Sequence, residues 1–282
     1  MNAFEVKNIS KKYTKSRKND FELKDISLTL PCGCIMGLIG ENGAGKTTLI
    51  NAMLGVISRD WGTVSFFDKP ECNEVKDEIG VVLGEDSFPL TLNPNSINKI
   101  MKKVYSKWDE EKYFDLLKKF SLPENKIVKT FSRGMKVKLS IAVALSHNAR
   151  LLILDEPTNG LDPVIRSEIV DIFYDFTRNP LNSVLISSHI VSDLEKLCDY
   201  IAFLHNGKLV LCEEKDRLLE KYGIIHCDAE EFKKIDPSAV KSKKESSYGI
   251  EAIVERNAVP TNVEITPVGV EELFVVLIKE EK

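Results

Sequence analysis

The segment CIMGLIGENGAGKTTLINAMLG, Cys34–Gly55, decides the fold. It opens on a short apolar run ending at Gly40, which reads as a buried strand. It closes on Thr47–Leu54, a stretch without a helix breaker that stops at Gly55. Between them GENGAGKTT, Gly40–Thr48, fits G-x-x-x-x-G-K-[ST] where that pattern carries a mechanism, at a strand turning into a helix. A polyphosphate needs many N–H donors converging within bonding distance, so the loop has to curl with no side chains in the way. Gly40, Gly43 and Gly45 permit this, with Asn42 and Ala44 between them. The helix starting near Lys46 adds the partial positive charge of its N-terminus, about half an elementary charge. Lys46 is expected on the β and γ phosphates and the Thr47 hydroxyl on Mg²⁺, with Thr48 completing the loop. ATP or GTP is the implied ligand, against the plainer reading of a glycine-rich turn before a helix.

Outward from this segment, FEVKN (Phe4–Asn8) and FELKDISLTL (Phe21–Leu30) alternate as strands do, and WGTVSFF from Trp61 gives a turn and another strand. Ile79–Leu83, Leu151–Asp155 and Ser183–Ser188 read as fully buried strands. Lys136–Leu145 and Pro163 to about Arg178 read as helices. Strands separated by such helices require right-handed crossovers and so a largely parallel sheet covered on both faces. Ile97–Phe120 has helical spacing with a break and new N-cap at Trp108-Asp109, so residues from about 85 to 147 form a helical subdomain. In YIAFLHNGKLVLCEE, Tyr200–Glu214, the Asn206-Gly207 pair between two apolar runs predicts a hairpin. A nucleotide-binding domain over residues 1–222 is followed by a small α+β extension over 223–282. Its segment KKIDPSAVKSKKESS shows no long periodicity, and its end suggests two short strands and a helix, Val270–Ile278, as a lobe or lid on the main domain.

Composition narrows the function. The 39 basic and 43 acidic residues give a net charge of −4, so bulk electrostatics favour neither nucleic acid nor an anionic lipid surface, and no nucleic-acid partner is expected. No apolar run approaches the roughly 20 residues that cross a bilayer. The start MNAFEVKNISKKY lacks the apolar core of a signal peptide, which predicts a cytoplasmic protein. The six cysteines match neither zinc-site nor disulfide-framework spacing and read as ordinary thiols.

The second chemical constellation is LLILDEPTNGLDP, Leu151–Pro163, which sets Asp155 and Glu156 just beyond an apolar strand, where open parallel sheets bind ligands. Asp155 is suited to holding Mg²⁺ through a water, and Glu156 to taking a proton from the attacking water or orienting it. Taken in order, GENGAGKTT, FSRGMK, LLILDEPTNGLD and ISSH resemble the ABC ATPases over roughly Asn2–Tyr222. The resemblance implies an α/β phosphate-loop NTPase of ABC type, with a mostly parallel sheet, an antiparallel β subdomain, a helical subdomain and the C-terminal extension.

By that resemblance Ser132, Arg133, Gly134 and Met135 are the signature segment, which meets the γ-phosphate bound on a partner subunit. Ser132 as a cap and Gly134 with its approachable amide make a second anion-binding helix end. Arg133 and Met135 stand where the family's Leu-Ser-Gly-Gly-Gln has its third and fifth residues. In IGVVLGEDSFP the family's Mg²⁺-touching Gln is replaced, and Glu85 is its substitute. His189 resembles the switch histidine that contacts the γ-phosphate; a His at a strand end also has a purely structural reading. Asp162 resembles the residue linking two active sites across a dimer, and reads equally as the N-cap before Pro163. Tyr13 resembles the aromatic that stacks on adenine, with edge packing as the alternative.

The implied function is an ATP-hydrolysing transporter subunit that dimerises with itself or a homologous ATPase. It would work against an integral membrane permease docked near Gly84–Trp108, peripheral on the inner face of the membrane. FSRGMK, IGVVLGEDSFP and SSHIVSDLEK are most similar to the YtrB-like branch of drug- and peptide-exporter ATPases. The alternatives are a soluble ABC ATPase acting on ribosomes or nucleic acid, and a nucleotide-gated binding module with little turnover.

Overall fold

In the computed structural model, which describes residues 1–13, 21–84, 87–246, 249–260 and 263–280, the strand of the phosphate loop runs through the middle of a six-stranded sheet. Strands β1 (Asn2–Tyr13) and β2 (Phe21–Pro31) pair antiparallel, and β3 (Ile35–Ile39) leads through the loop into α1 (Lys46–Met53). Next come β4 (Trp61–Phe66) beside β1, the two-residue β5 (Lys69–Pro70), α2 (Asn73–Lys76) and β6 (Ile79–Leu83). A helical block follows, with α3 (Pro94–Val104), α4 (Glu110–Lys119) and α5 (Arg133–Leu145) capped by Asn93, Asp109 and Ser132. The chain then alternates through β7 (Leu151–Asp155), α6 (Pro163–Thr177), β8 (Ser183–Ser188) and α7 (Val191–Leu197), and turns back in the hairpin of β9 (Tyr200–His205) and β10 (Lys208–Glu214). The remainder is α8 (Lys215–Lys221), β11 (Tyr222–Cys227), α9 (Ala229–Phe232), β12 (Val240–Ser246), β13 (Gly249–Glu255), β14 (Ile265–Thr266) and α10 (Val270–Glu280).

The six-stranded sheet has the order β10-β9-β3-β8-β7-β6, with β10 antiparallel and the other five parallel. Both faces are covered, which explains why its strands are apolar without alternation. Leu152 and Leu154 of β7 point into the core shared with α5 and α6, while Leu151 and Ile153 point into the core shared with α1 and the β1–β4 sheet. The crossovers bring the ends of β3, β7 and β8 to one edge, where loops can meet a ligand.

The tail differs from its sequence reading. The two short strands and the helix expected near the end are β13, β14 and α10, and two further strands, β11 and β12, join them in an antiparallel sheet in the order β12-β13-β11-β14. KSKKES lies in β12 as an edge strand, a place where lysines are favoured because they discourage pairing with other chains. Ile225, Ala252 and Val254 close a small core of their own, whereas Ile253 and Leu273 join the core of the main sheet. Helix α10 lies against β9 and α7. Phe274 meets Phe203 edge-on at 5.1 Å, and the Val270 amide donates to Glu195 Oε1 at 3.1 Å. None of the described tail residues lines the cavity at the phosphate loop.

Because Leu273 is fully buried in the main core, Leu273→Ala is expected to cost about 2–5 kcal/mol. The expected readout in chemical denaturation is an earlier single transition for the whole chain, not a separate early loss of the tail.

Candidate active site

A cavity of about 650 Å³ opens at the edge where β3 and β7 end, a size suited to one small ligand. Asn42, Gly43, Gly45, Lys46, Thr47 and Thr48 form its floor. Gly40 stands at the end of β3 and Ala44 is buried behind the loop, its carbonyl accepting from the Gly207 amide at 3.0 Å. Lys46 is only 4% exposed. Its Nζ donates to the carbonyls of Gly40 (2.7 Å) and Glu41 (3.2 Å) and pairs with Glu156 Oε1 at 3.2 Å.

The other wall comes from β7, β8 and the turn before α6. Thr47 Oγ1 donates to Asp155 Oδ2 at 2.6 Å, and Ser187 Oγ donates to Asp155 Oδ1 at 2.6 Å while accepting the Glu156 amide at 3.0 Å. Each Asp155 oxygen is therefore occupied, and the parallel register that sets Asp155 beside Ser187 is the cause. Glu156 Oε2 faces His189 Nδ1 at 3.1 Å and accepts from Asn159 Nδ2 at 3.0 Å. The Glu156 backbone lies in the left-handed region at φ 48°, a conformation that costs on the order of 1–3 kcal/mol in a non-glycine residue. The neighbours that over-determine it are Lys46, Asn159 and His189.

The signature segment divides. Ser132 caps α5, its hydroxyl accepting the Met135 amide at 3.3 Å, and Met135 packs against the main core. Gly134 abuts Ile165 of α6, where a Cβ would lie 2.7 Å from Cδ1. Arg133 alone of the four lines the cavity, its guanidinium lying over Gly160. Asp162 caps α6, accepting the amides of Val164 (3.1 Å) and Ile165 (3.0 Å). Tyr13 is on the surface with Lys11 Nζ 5.7 Å from its ring and is not among the cavity residues; its cross-strand partner Phe21 is. Glu85 lies outside the described residues. Phe21, Asn159 and Ser187 were not singled out from sequence. The signal for Phe21 was an aromatic opening the strand that pairs with Tyr13, whereas Ser187 in SVLISS reads as ordinary strand filler.

A buried lysine in a loop of amides, facing two carboxylates at a strand end, defines an α/β nucleoside triphosphatase of the phosphate-loop class. Residues 23–159 match the family model described as ABC transporter, and residues 128–192 a model described as "AAA domain, putative AbiEii toxin, Type IV TA system". Among relatives, the ABC transporter ATP-binding protein YtrB of Bacillus subtilis is 34% identical, over 71% of this chain and 69% of its own length. The lantibiotic transport ATP-binding protein SrtF of Streptococcus pyogenes is 34% identical, over 75% of this chain and 90% of its own. A solved ATP-binding subunit of an ABC transporter superposes with a TM-score of 0.68 at 26% identity, covering 77% of this chain and 91% of that one. The chain belongs to the ABC transporter ATP-binding proteins, the subunits that bind and hydrolyse ATP.

Ser187→Ala leaves an Asp155 oxygen and the Glu156 amide short of a partner, so a loss of about 1–3 kcal/mol is expected. Denaturant titration of the variant beside the wild-type protein measures it.

Proposed function

We propose that this chain works as one half of a two-subunit motor, paired with itself or a homologous ATPase. Each Mg-ATP would lie between the Lys46 loop of one subunit and the Ser132 helix end of the other. The supporting observation is the split between two phosphate-binding features. One cavity gathers the phosphate loop, Asp155 and Glu156, while of the signature segment of the same chain only Arg133 lines it and Ser132, Gly134 and Met135 stay out. A capping serine accepts an amide with its oxygen and keeps its own proton to donate, so Ser132 can serve α5 and a partner's γ-phosphate at once.

The residues suit Mg²⁺, which takes one or two protein oxygens and fills its remaining positions with water and phosphate. Thr47 Oγ1 and Asp155 Oδ2 are such donors, 2.6 Å apart beside the loop. Bound there, the ion supplies neutralisation of charge on the β and γ oxygens. Lys46 adds a second positive charge in a water-poor position, where it counts for more than in solvent. Glu156 orients the attacking water and takes its proton, with His189 and Asn159 holding the carboxylate in place. Asp162, at the start of α6, links this site to the one across the dimer. Tyr13 lies at the adenine end.

The transported cargo is pushed outward in this reading, in keeping with the resemblance to exporter ATPases and with a relative named for lantibiotic transport. The permease is a separate membrane protein. Leu90, Ile100 and Val104 are apolar and exposed within the Gly84–Trp108 segment and offer it a docking surface. No helix among the described residues is long and apolar enough to cross a membrane, so the permease is what places this chain on the inner face of the bilayer.

Glu156→Gln is expected to lower steady-state ATPase by about a hundredfold or more while Mg-ATP binding persists and dimer accumulates in gel filtration. Turnover equal to wild type would refute the role of Glu156. A strictly monomeric variant, even beside its co-purifying membrane subunits, would refute the shared site.

A further inference from the structure

The turn that follows β7 holds a demanding shape. Glu156 at φ 48° and Gly160 at φ 65° both lie in the left-handed region. The Asn159 amide donates to the Glu156 carbonyl at 3.2 Å and the Leu161 amide to the Thr158 carbonyl at 3.3 Å, which curls the segment between them. Thr158 and Leu161 are buried and anchor its sides, while Gly160 at the tip is exposed. Asn159, next to that tip, donates to Glu156 Oε2 at 3.0 Å, so the placement of the tip sets the aim of the carboxylate. A left-handed non-glycine residue persists only where its surroundings over-determine it, and the bonds inside the turn fix its curl but not its tilt.

One side chain reaches the tip from outside the turn. Arg133 is the first residue of α5, beside the cap Ser132, and its guanidinium lies against the α-carbon of Gly160. A Cβ on Gly160 would overlap Nη1 and lie 2.9 Å from Cζ, so the contact needs a bare α-carbon. The base of this brace is fixed too. Gly134 presses on Ile165 of α6, and Met135 packs against the main core. Helix α5 therefore rests on the helix into which the turn runs, and Arg133 supports the turn from there. Because Arg133 lines the cavity together with Asn159, Glu156 and Lys46, the support acts inside the site.

We infer that Arg133 is a positioning residue for hydrolysis in its own chain. By bracing Gly160 it holds Asn159, and through Asn159 the Glu156 carboxylate, in the geometry that orients the attacking water. This rests on the reading of Glu156 as the group that orients that water. It sets Arg133 apart from Ser132 and Gly134, which are placed for a nucleotide on the partner subunit. The glycine that the ABC family carries at the third place of the segment has no side chain to do this, so the brace belongs to this chain's own sequence. Small displacements matter at such a place, since misplacing a catalytic group by about 1 Å costs on the order of a hundredfold in rate.

The test is steady-state ATPase and calorimetric Mg-ADP binding for the full-length wild type, Arg133→Ala, Arg133→Lys, Gly160→Ala and the double variant of Arg133→Ala with Gly160→Ala. Arg133→Ala is expected to lower kcat about tenfold, with KM and Mg-ADP affinity within about twofold of wild type. Arg133→Lys keeps the charge and loses the planar fork, so it is expected to stay as low as the alanine variant. The added methyl group of Gly160→Ala takes the guanidinium's place. Its kcat is expected to fall as far, and the double variant no further, because a shared contact is not lost twice. Wild-type turnover in Arg133→Ala would overturn the inference. So would full turnover in Arg133→Lys, since charge alone would then suffice, and so would losses that multiply in the double variant. A fall in Mg-ADP affinity matching the fall in kcat would also overturn it, because the whole site would then have been disturbed. Glu156→Gln, run alongside, separates the two levels. Turnover equal to wild type there refutes the reading of Glu156 and the inference with it, whereas an inactive Glu156→Gln beside a fully active Arg133→Ala refutes the inference alone.

Discussion

The backbone at Gly40 passes so close to β9 that a Cβ there would lie 2.5 Å from the carbonyl oxygen of Leu204. Only a bare α-carbon fits, and that close approach lets the chain leave β3 and curl. Lys46 then folds back to the Gly40 carbonyl, and the tip of the β9–β10 hairpin donates the Gly207 amide to Ala44. The same glycine accepts the Lys24 amide of β2 at 2.8 Å, so both sheets hold the loop. A phosphate arriving here meets donors already fixed, and such fixed donors need little rearrangement during a reaction.

Charge is handled by the same economy of placement. Two adjacent carboxylates beside a buried lysine would be costly if any lacked a partner. Asp155 is satisfied by Thr47 on one oxygen and Ser187 on the other, and Glu156 by Lys46, His189 and Asn159. The partners come from α1, β8 and the segments after β7 and β8, so the arrangement exists only when the parallel sheet has its proper register. Fold and site are specified together.

Much of this was legible in the sequence because the informative segments are local. A strand, a glycine loop and a helix follow one another within Cys34–Gly55, and Asp155-Glu156 follows an apolar run that needs burial on both faces. The Asn206-Gly207 hairpin and the Asp109 cap were readable for the same reason. What escaped depends on distant pairing. Ser187 matters through its neighbour on β7, and Phe21 through its register with Tyr13 and the bare Gly45 beneath it. In the tail, β12 was missed where charge hides periodicity. In β12 the lysines sit on an edge whose geometry comes from β13, not from its own residues.

Neighbouring residues of β9 look in opposite directions. The Leu204 carbonyl abuts the phosphate loop, while Phe203 is roofed by Phe274 of α10. A chain shortened at Tyr222 would bare Phe203 together with the apolar sides of α7, and the strand that backs Gly40 would lose its cover. Trimming for crystallisation, or a fusion joined in place of the tail, therefore has to spare α10 or bring a greasy substitute of the same shape.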